Sequence, residues 1–318
     1  MQVQSSTPTT ENGLITIEKW REQGCYFDFE GHRIFYRDSL SLASSSSANK
    51  PVLLLLHGFP TSSWDWREVW PLLTQHFRVV CFDLLGFGLS DKPDIPRYPI
   101  HTQADIAEQL LTSLGIVTYN ILAHDYGDTV AQELLARELE NERDLIKSCV
   151  LLNGGLFPET HKPLLMQKLL LSPIGGLIAR LASFRKFVAS FDDICMRQLP
   201  VEDLRTHWEL LVRANGRKIM PRLIRYMDQR VRYRARWVGA LVNAKVPLRL
   251  VNGLDDPISG GHMADRYEEL VPNADIVGLQ SIGHYPQNES PSGVIDAVLE
   301  FWTMHRVIRA PSETFRIA

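Results

Sequence analysis

Six short apolar runs, separated by segments of helix length or longer, constrain the fold of this chain more than any other feature of its sequence. The runs do not alternate between apolar and polar residues, which is typical of strands that are buried on both faces. The pattern therefore predicts an α/β fold, with a mostly parallel central sheet and helices on both of its faces. The predicted strands are residues 52–56, 79–82, 121–123, 149–152, 248–251 and 276–279, preceded by a hairpin over 25–29 and 33–36.

The alternation of strands and helices stops between the fourth and fifth runs. Residues 155–240 have helix-like patterns almost throughout, and an all-helical block beside the carboxyl ends of parallel strands would cover their usual ligand crevice. We interpret this block as a helical cap inserted in a core of residues 21–154 and 241–318, after a disordered tail over 1–20. A separate domain is the alternative, which the immediate return of the strand pattern disfavours. The predicted cap helices are 162–171, 176–183, 201–214 and 220–236.

Charge and composition exclude several classes of function. With 34 Lys and Arg against 37 Asp and Glu, the net charge of −3 gives no overall field that attracts nucleic acid or an anionic membrane. The sequence has no apolar run long enough to span a membrane and no signal-peptide pattern, so we expect a cytoplasmic protein. Its cysteines have no short paired spacing, which predicts free thiols rather than disulfides or metal ligands: Cys25, Cys81, Cys149 and Cys195.

The segment 121–128 (ILAHDYGD) has the pattern of a nucleophile at a sharp strand-to-helix turn. Ala123 and Gly127 supply the small residues that such a turn needs, because the strand and the helix pack closely there. The residue at the centre is Asp125, and the turn would lift its carboxylate above the edge of the sheet. Alone, an aspartate after a strand is equally well explained as the N-cap of the following helix.

Further segments supply the partners that such a nucleophile needs. The strand over 52–56 runs into His57-Gly58-Phe59-Pro60, so that the backbone N–H groups of Phe59 and Tyr126 would converge on one oxyanion. A carboxylate follows the strand over 248–251, and His284 follows the last apolar run. This chain order of nucleophile, acid and base predicts a catalytic triad.

The acid of this triad has two candidates in the sequence Gly253-Leu254-Asp255-Asp256-Pro257. The register favours Asp256 over Asp255. The preceding predicted strand ends in Asn153-Gly154-Gly155 and offers no carboxylate at the position that some related enzymes use.

These residues resemble the Asp-nucleophile branch of the α/β-hydrolases, which includes epoxide hydrolases and haloalkane dehalogenases. Within that branch the likeness is greatest to the mesoderm-specific transcript subfamily. It covers most of the chain from His57 to Pro291, including the stretches HGFPTSSWDW, LGFGLSDKP, HDYGDTVAQELL, NGGLFPETHKPLL, RWVGAL and GHYPQNESP.

The resemblance implies a mechanism with two half-reactions. Asp125 would attack an sp3 carbon and form an alkyl-enzyme ester, and His284, oriented by Asp256, would activate water to hydrolyse it. The implied partners are water and a small, apolar to amphipathic organic substrate, with no cofactor and no metal.

The leaving group is decided by the residues that would stabilise it. Dehalogenases carry Trp after the nucleophile and Asn after His-Gly, where this chain has Tyr126 and Phe59. Epoxide hydrolases protonate the epoxide oxygen with cap tyrosines, for which the candidates are Tyr226 and Tyr233. Epoxide hydrolysis is therefore favoured, with dehalogenation as the alternative. A non-catalytic binding protein is a third reading, disfavoured because no triad member is missing.

Other residues are assigned on weaker patterns. The pocket candidates are His57, Phe59, Phe157 and Trp208. We interpret Asp128 as a first-turn acid favoured by the helix dipole, with a role in tuning Asp125 as the alternative. The arginines between 222 and 236 predict a solvated face paired with nearby acids, and a site for an anionic group is the alternative.

Overall fold

Residues 15–42 and 50–309 are described by the computed structural model of the protein. In these ranges eight strands form one sheet: β1 (Cys25–Phe29), β2 (His32–Asp38), β3 (Val52–Leu56), β4 (Arg78–Phe82), β5 (Tyr119–His124), β6 (Ile146–Leu152), β7 (Leu248–Gly253) and β8 (Ile276–Leu279). Their order is β1-β2-β4-β3-β5-β6-β7-β8. β2 pairs antiparallel with β1 and β4, and all other pairs are parallel, which confirms the predicted mostly parallel sheet.

The helices surround this sheet in chain order. They are α1 (Ile17–Glu22), α2 (Trp70–His76), α3 (Ile100–Ser113), α4 (Tyr126–Glu140), α5 (Leu165–Leu171), α6 (Gly175–Arg180), α7 (Phe184–Asp192), α8 (Val201–Val212), α9 (Gly216–Leu223), α10 (Tyr226–Arg232), α11 (Arg234–Val242), α12 (Gly261–Leu270), α13 (Pro286–Glu289) and α14 (Pro291–Met304). Short 3-10 turns lie at Ser39–Leu42, Ser63–Trp66 and Arg213–Asn215.

Both faces of the sheet are buried in apolar layers. In β3, Leu54 and Leu56 pack into a core that also holds residues of α3 and α4, whereas Leu53 and Leu55 pack with α2 and α14 on the other face. Each fully buried leucine stabilises the fold by about 1.5–3 kcal/mol relative to an exposed one. Burial on both sides explains why the strand sequences do not alternate.

The predicted tail over residues 1–20 is wrong at its carboxyl end. α1 begins at Ile17, where the hydroxyl of Thr16 accepts a capping hydrogen bond from the N–H of Lys19. Trp20 is buried and packs edge-on against Trp64 and Trp70, so an aromatic anchor orders this segment. Residues 1–14 lie outside the described ranges.

Between β6 and β7 the chain forms only helices, α5 to α11, and we call residues 155–240 the cap segment. The single predicted helix over 220–236 is wrong, because three helices, α9 to α11, replace it. α7 was not predicted. α11 packs on α4, where the buried Glu133 accepts hydrogen bonds from Arg236 Nε (2.7 Å) and Trp237 Nε1 (2.8 Å). The division into core and cap stays our interpretation of this arrangement.

Two further expectations concern the thiols and the membrane. All four cysteines are free; Cys81, Cys149 and Cys195 are buried and Cys25 is exposed. Among the described helices, none is long and apolar enough to cross a bilayer.

Candidate active site

The turn between β5 and α4 presents Asp125 at the carboxyl edge of the sheet. Its backbone has φ 46° and ψ −102°, an uncommon conformation for a residue other than glycine. A Cβ atom at Gly127 would lie 2.2 Å from the carbonyl oxygen of Leu56, so no larger residue fits there. Asp125 occupies the N-cap position of α4, but its side chain makes no capping hydrogen bond. The carboxylate is therefore available for another role.

A buried histidine and carboxylate form a close pair beside this turn. The Nδ1 atom of His284 lies 2.7 Å from Oδ2 of Asp256. Asp256 also accepts hydrogen bonds from the backbone N–H groups of Ile258 (2.8 Å) and Ser259 (3.1 Å). Asp255 is exposed and instead accepts from the N–H of Ser281. The structure thus brings Asp256 to His284 and keeps Asp255 at the surface.

Asn153 completes the support of the acid, a role that sequence reasoning missed. Its amide nitrogen donates to Oδ2 of Asp256 (3.0 Å), and its amide oxygen accepts from the N–H of Gly253 (2.7 Å). Its φ of 41° is one that asparagine tolerates better than most residues. The sequence shows that no carboxylate follows β6. It does not reveal that the amide of Asn153 at this position would hold the acid that follows β7.

The charges of these groups favour an ionised acid and a basic imidazole. Burial alone would raise the pKa of Asp256, but His284 and the surrounding donors outweigh it and lower this pKa to about 2. Burial likewise opposes a charged His284, and the nearby Asp256 outweighs it and raises the pKa to about 8. The pKa of Asp125 is lowered despite burial, because Arg230, His284 and His124 lie close. Asp125 is therefore a carboxylate at neutral pH.

One of the two predicted oxyanion donors reaches the carboxylate directly. The backbone N–H of Phe59 donates to Oδ2 of Asp125 at 3.0 Å. Tyr126 is the first residue of α4, a position whose N–H has no partner within the helix.

The cap segment contributes a phenol to the site. The hydroxyl of Tyr226 in α10 donates to both carboxylate oxygens of Asp125, at 3.2 and 3.3 Å. Burial, and next the charge of Asp125, raise the pKa of Tyr226 well above 10, so the phenol keeps its proton. Tyr233 packs against His101 and Trp237 instead and makes no hydrogen bond to Asp125. Of the two predicted tyrosines, only Tyr226 contacts Asp125.

Arg230 corrects the expectation of a solvated arginine face. It is only 3% exposed, and its Nη2 atom lies 3.0 Å from the carbonyl oxygen of Asp125 and 3.6 Å from Oδ1. Its Nε donates to the hydroxyl of Thr129 (2.8 Å). Arg234 does follow the expectation, since it pairs with Glu159 at the surface. A run of basic residues does not show which of them turns inward.

Asp128 is also buried, which its interpretation as a dipole-stabilised acid did not anticipate. Burial, and next the charge of Asp125, raise the pKa of Asp128 well above 3.8. Arg230 acts in the opposite direction but does not outweigh them. Burial and the neighbouring charge of Asp125 thus favour the neutral form of Asp128.

A cavity of about 250 Å³ extends from His284 and Phe59 into the cap segment. Phe59 and Trp208 line it as predicted. His57 does not, because its Nε2 accepts from the N–H of Leu84 (3.0 Å) and its Nδ1 contacts the carbonyl of Gly58 (2.9 Å). Phe157 is buried in the core and does not line the cavity either. The lining is mainly apolar and includes Leu164, Leu170, Phe187, Phe191, Leu211 and Ile258.

Within residues 15–42 and 50–309, no group of three or more His, Cys, Asp or Glu side chains is arranged to hold a metal ion.

Comparisons with known proteins show what this chain is similar to. The mesoderm-specific transcript protein of Mus musculus is 42% identical over 299 residues, which cover 90% of this chain and 87% of that protein. The structure of a loop variant of haloalkane dehalogenase DbeA from Bradyrhizobium elkanii superposes with a TM-score of 0.74 at 22% identity, covering 89% of this chain and 97% of that one. Epoxide hydrolase CorEH superposes with a TM-score of 0.69 at 21% identity, covering 88% and 98%.

At these identities the solved structures show a shared fold and nothing finer. The family model described as the alpha/beta hydrolase fold matches residues 51–291. The strand order, the Asp125 turn and this match lead to one conclusion: the chain belongs to the α/β-hydrolase family.

Proposed function

We propose that this hydrolase opens epoxides through an ester formed on Asp125. The observation that carries the proposal is the contact of 3.2 Å between the Tyr226 hydroxyl and Oδ1 of Asp125, beside the pair of His284 and Asp256. His284 and Phe59 line the apolar cavity. Asp125 accepts hydrogen bonds from the Phe59 N–H and the Tyr226 hydroxyl, so a nucleophile, a proton donor and a base meet beside the inner end of that cavity.

In the first half-reaction, a carboxylate oxygen of Asp125 attacks an epoxide carbon from the side opposite its C–O bond. That C–O bond breaks, and the phenol of Tyr226 donates its proton to the developing alkoxide. The product is a hydroxyalkyl ester of Asp125. Because Tyr226 is a neutral donor in a buried site, its hydrogen bond to an oxyanion is stronger than it would be in water.

In the second half-reaction, water attacks the carbonyl carbon of the Asp125 ester. The Nδ1 atom of His284 is engaged with Asp256, so its Nε2 atom takes the proton from this water. The Phe59 N–H, which already reaches the carboxylate, stabilises the tetrahedral oxyanion together with the Tyr126 N–H. Collapse of this intermediate breaks the bond between the carbonyl carbon and the alkyl oxygen, and the leaving alkoxide takes the proton from His284 and departs as the diol. The proton left on the Asp125 carboxyl group returns to the phenolate of Tyr226.

Dehalogenation is the alternative reaction. A halide is best held by N–H donors, whereas the positions that supply them in dehalogenases hold Phe59 and Tyr126 here. A hydroxyl proton donor close to the nucleophile suits an epoxide oxygen better than a halide. A binding protein without catalysis is disfavoured by the presence of all three triad side chains.

The test compares Tyr226→Phe with Tyr233→Phe on a panel of alkyl epoxides and 1-haloalkanes. We expect Tyr226→Phe to lower kcat/KM for epoxides by about 100-fold, within the range of general acid catalysis, with little change in ligand binding. Tyr233→Phe should retain wild-type rates, because Tyr233 packs against His101 and Trp237 and makes no hydrogen bond to Asp125. Turnover of haloalkanes alone, unaffected by Tyr226→Phe, would assign the enzyme to dehalogenation.

A further inference from the structure

The first half of the cap segment exposes a group of large aliphatic side chains. Leu165 is 72% exposed, Leu177 57% and Leu181 58%, and Met166 and Ile174 are also exposed. Ile174, Leu177 and Leu181 are spaced so that they share one face of α6 and its flanks. Single exposed aliphatic residues are ordinary, but five within 17 residues form a patch that calls for a partner. We call these five residues the apolar cap face.

The apolar cap face is continuous with the substrate cavity. Met166 and Leu181 belong to the face and also line the cavity, whose inner end is formed by Phe59 and His284. An apolar molecule that reaches this face thus has an apolar path to the site. The exposed side chains of the apolar cap face are therefore connected to the cavity.

The same stretch of chain is positively charged. Residues 160–191 hold five Lys and Arg and no Asp or Glu, although the whole chain has a net charge of −3. None of these five side chains makes an ion pair among the described residues. The five cations are Lys162, Lys168, Arg180, Arg185 and Lys186.

We propose that the apolar cap face docks on an anionic lipid surface, from which apolar substrates enter the cavity. Aliphatic side chains on short helices, in a stretch of chain that holds cations and no acids, match the acyl and phosphate layers of such a surface. A second copy of the chain fits less well, since two such faces would bring like charges together. The docking does not depend on the reaction at Asp125.

Binding of the full chain to vesicles tests this without any substrate. We expect co-sedimentation with vesicles of phosphatidylcholine and phosphatidylglycerol, weaker binding to phosphatidylcholine alone, and a decrease in binding as salt rises. The triple variant Leu165→Ser/Ile174→Ser/Leu177→Ser should bind at least about tenfold more weakly. These three residues do not line the cavity. Val117→Ser, which changes a side chain 70% exposed just before β5, is the matched control and should bind like wild type.

A charge reversal tests the electrostatic part and keeps the apolar residues. Lys168→Glu/Arg185→Glu should weaken binding to the anionic vesicles by at least about tenfold. Lys147→Glu/Lys245→Glu, at the amino ends of β6 and β7, should not. Thermal unfolding of each variant verifies that it folds.

Several results would overturn the proposal. One is that wild type and the triple serine variant bind equally well to the anionic vesicles. Another is that wild type sediments with neither type of vesicle. Equal binding to both vesicle types would refute the requirement for an anionic lipid. A reversible dimer of wild type that the triple serine variant abolishes would show that a second copy covers the face.

Discussion

At the scale of residues, the site holds one buried arginine and two buried carboxylates close together. Arg230 lies 3.6 Å from Oδ1 of Asp125, and Asp128 is buried one helical turn further along α4. Arg230 acts to lower the pKa of both carboxylates, and His284 acts in addition on that of Asp125. Their pKa shifts have opposite directions, downward for Asp125 and upward for Asp128, which favours the charged form of Asp125 and the neutral form of Asp128. Electrostatics as well as position thus suit Asp125 to the role of nucleophile that we propose for it.

Replacing Arg230 should therefore move the pH dependence of ester formation. In Arg230→Met, burial of Asp125 is no longer offset by the guanidinium, so its pKa rises and the acidic limb of the alkylation rate shifts to higher pH. Rapid-quench measurement of ester formation between pH 4 and 8 detects the shift. Arg230→Lys should retain much of the wild-type profile. Arg234→Met, at the start of α11 on the surface, should not shift it. An unmoved limb in Arg230→Met would refute the assignment.

Ester hydrolysis should have its own pH dependence, set by His284. The neutral imidazole is the base, so the rate rises with pH through the pKa of His284, which is about 8 in the free enzyme. The charge of Asp125 contributes to that raised pKa, and ester formation removes this charge. The pKa in the ester should then lie below 8. Single-turnover decay of the ester from pH 5.5 to 9 measures it, and a rate that falls as pH rises would exclude His284 as the base.

At the scale of elements, the β5–α4 turn holds the nucleophile by close packing against β3. The approach of Gly127 to the Leu56 carbonyl leaves no room for a side chain, and the obstructing atom belongs to the backbone. A side chain there cannot be accommodated by a change of rotamer. The strand and the helix would have to separate, which moves Asp125.

Gly127→Ala should accordingly destabilise the protein by about 1–3 kcal/mol, as overpacking commonly does, and should lower the rate of ester formation. Gly239→Ala in α11 is the matched control, because no atom lies within 4 Å of the added Cβ. Alanine in a helix interior stabilises by roughly 0.5–1 kcal/mol relative to glycine, so this variant should be at least as stable as wild type. Urea denaturation of both variants gives the comparison. Equal stability of the two would contradict the packing argument.

Elements and residues differed in how well the sequence predicted them. Buried parallel strands leave a local pattern, and all six predicted runs lie in strands β3 to β8. Asp125, Asp256 and His284 follow strand ends in a recognisable order, so their positions could be read locally as well. The inward turn of Tyr226 and Arg230, in contrast, depends on how α10 packs against the core, and helical spacing alone does not encode this.

At the scale of the whole molecule, the two parts of the cap segment contact the site differently. α10 covers Asp125 with a phenol and a guanidinium, whereas α5 to α8 enclose the apolar cavity. α11 joins this segment to the core through Glu133. Polar residues that contact Asp125 are thus separate from the apolar residues that line the cavity. This division is consistent with the roles that we propose for them.

The central claim is that displacement uses Asp125 and ester hydrolysis uses His284. Mass spectrometry of a His284→Gln variant, incubated with the epoxide that wild type turns over fastest, tests this most directly. The account predicts an added mass equal to that of the whole epoxide, located on the peptide that contains Asp125, while wild type releases diol and retains no adduct. Asp125→Asn should form no adduct. Full turnover by Asp125→Asn, with no adduct in His284→Gln, would contradict the account.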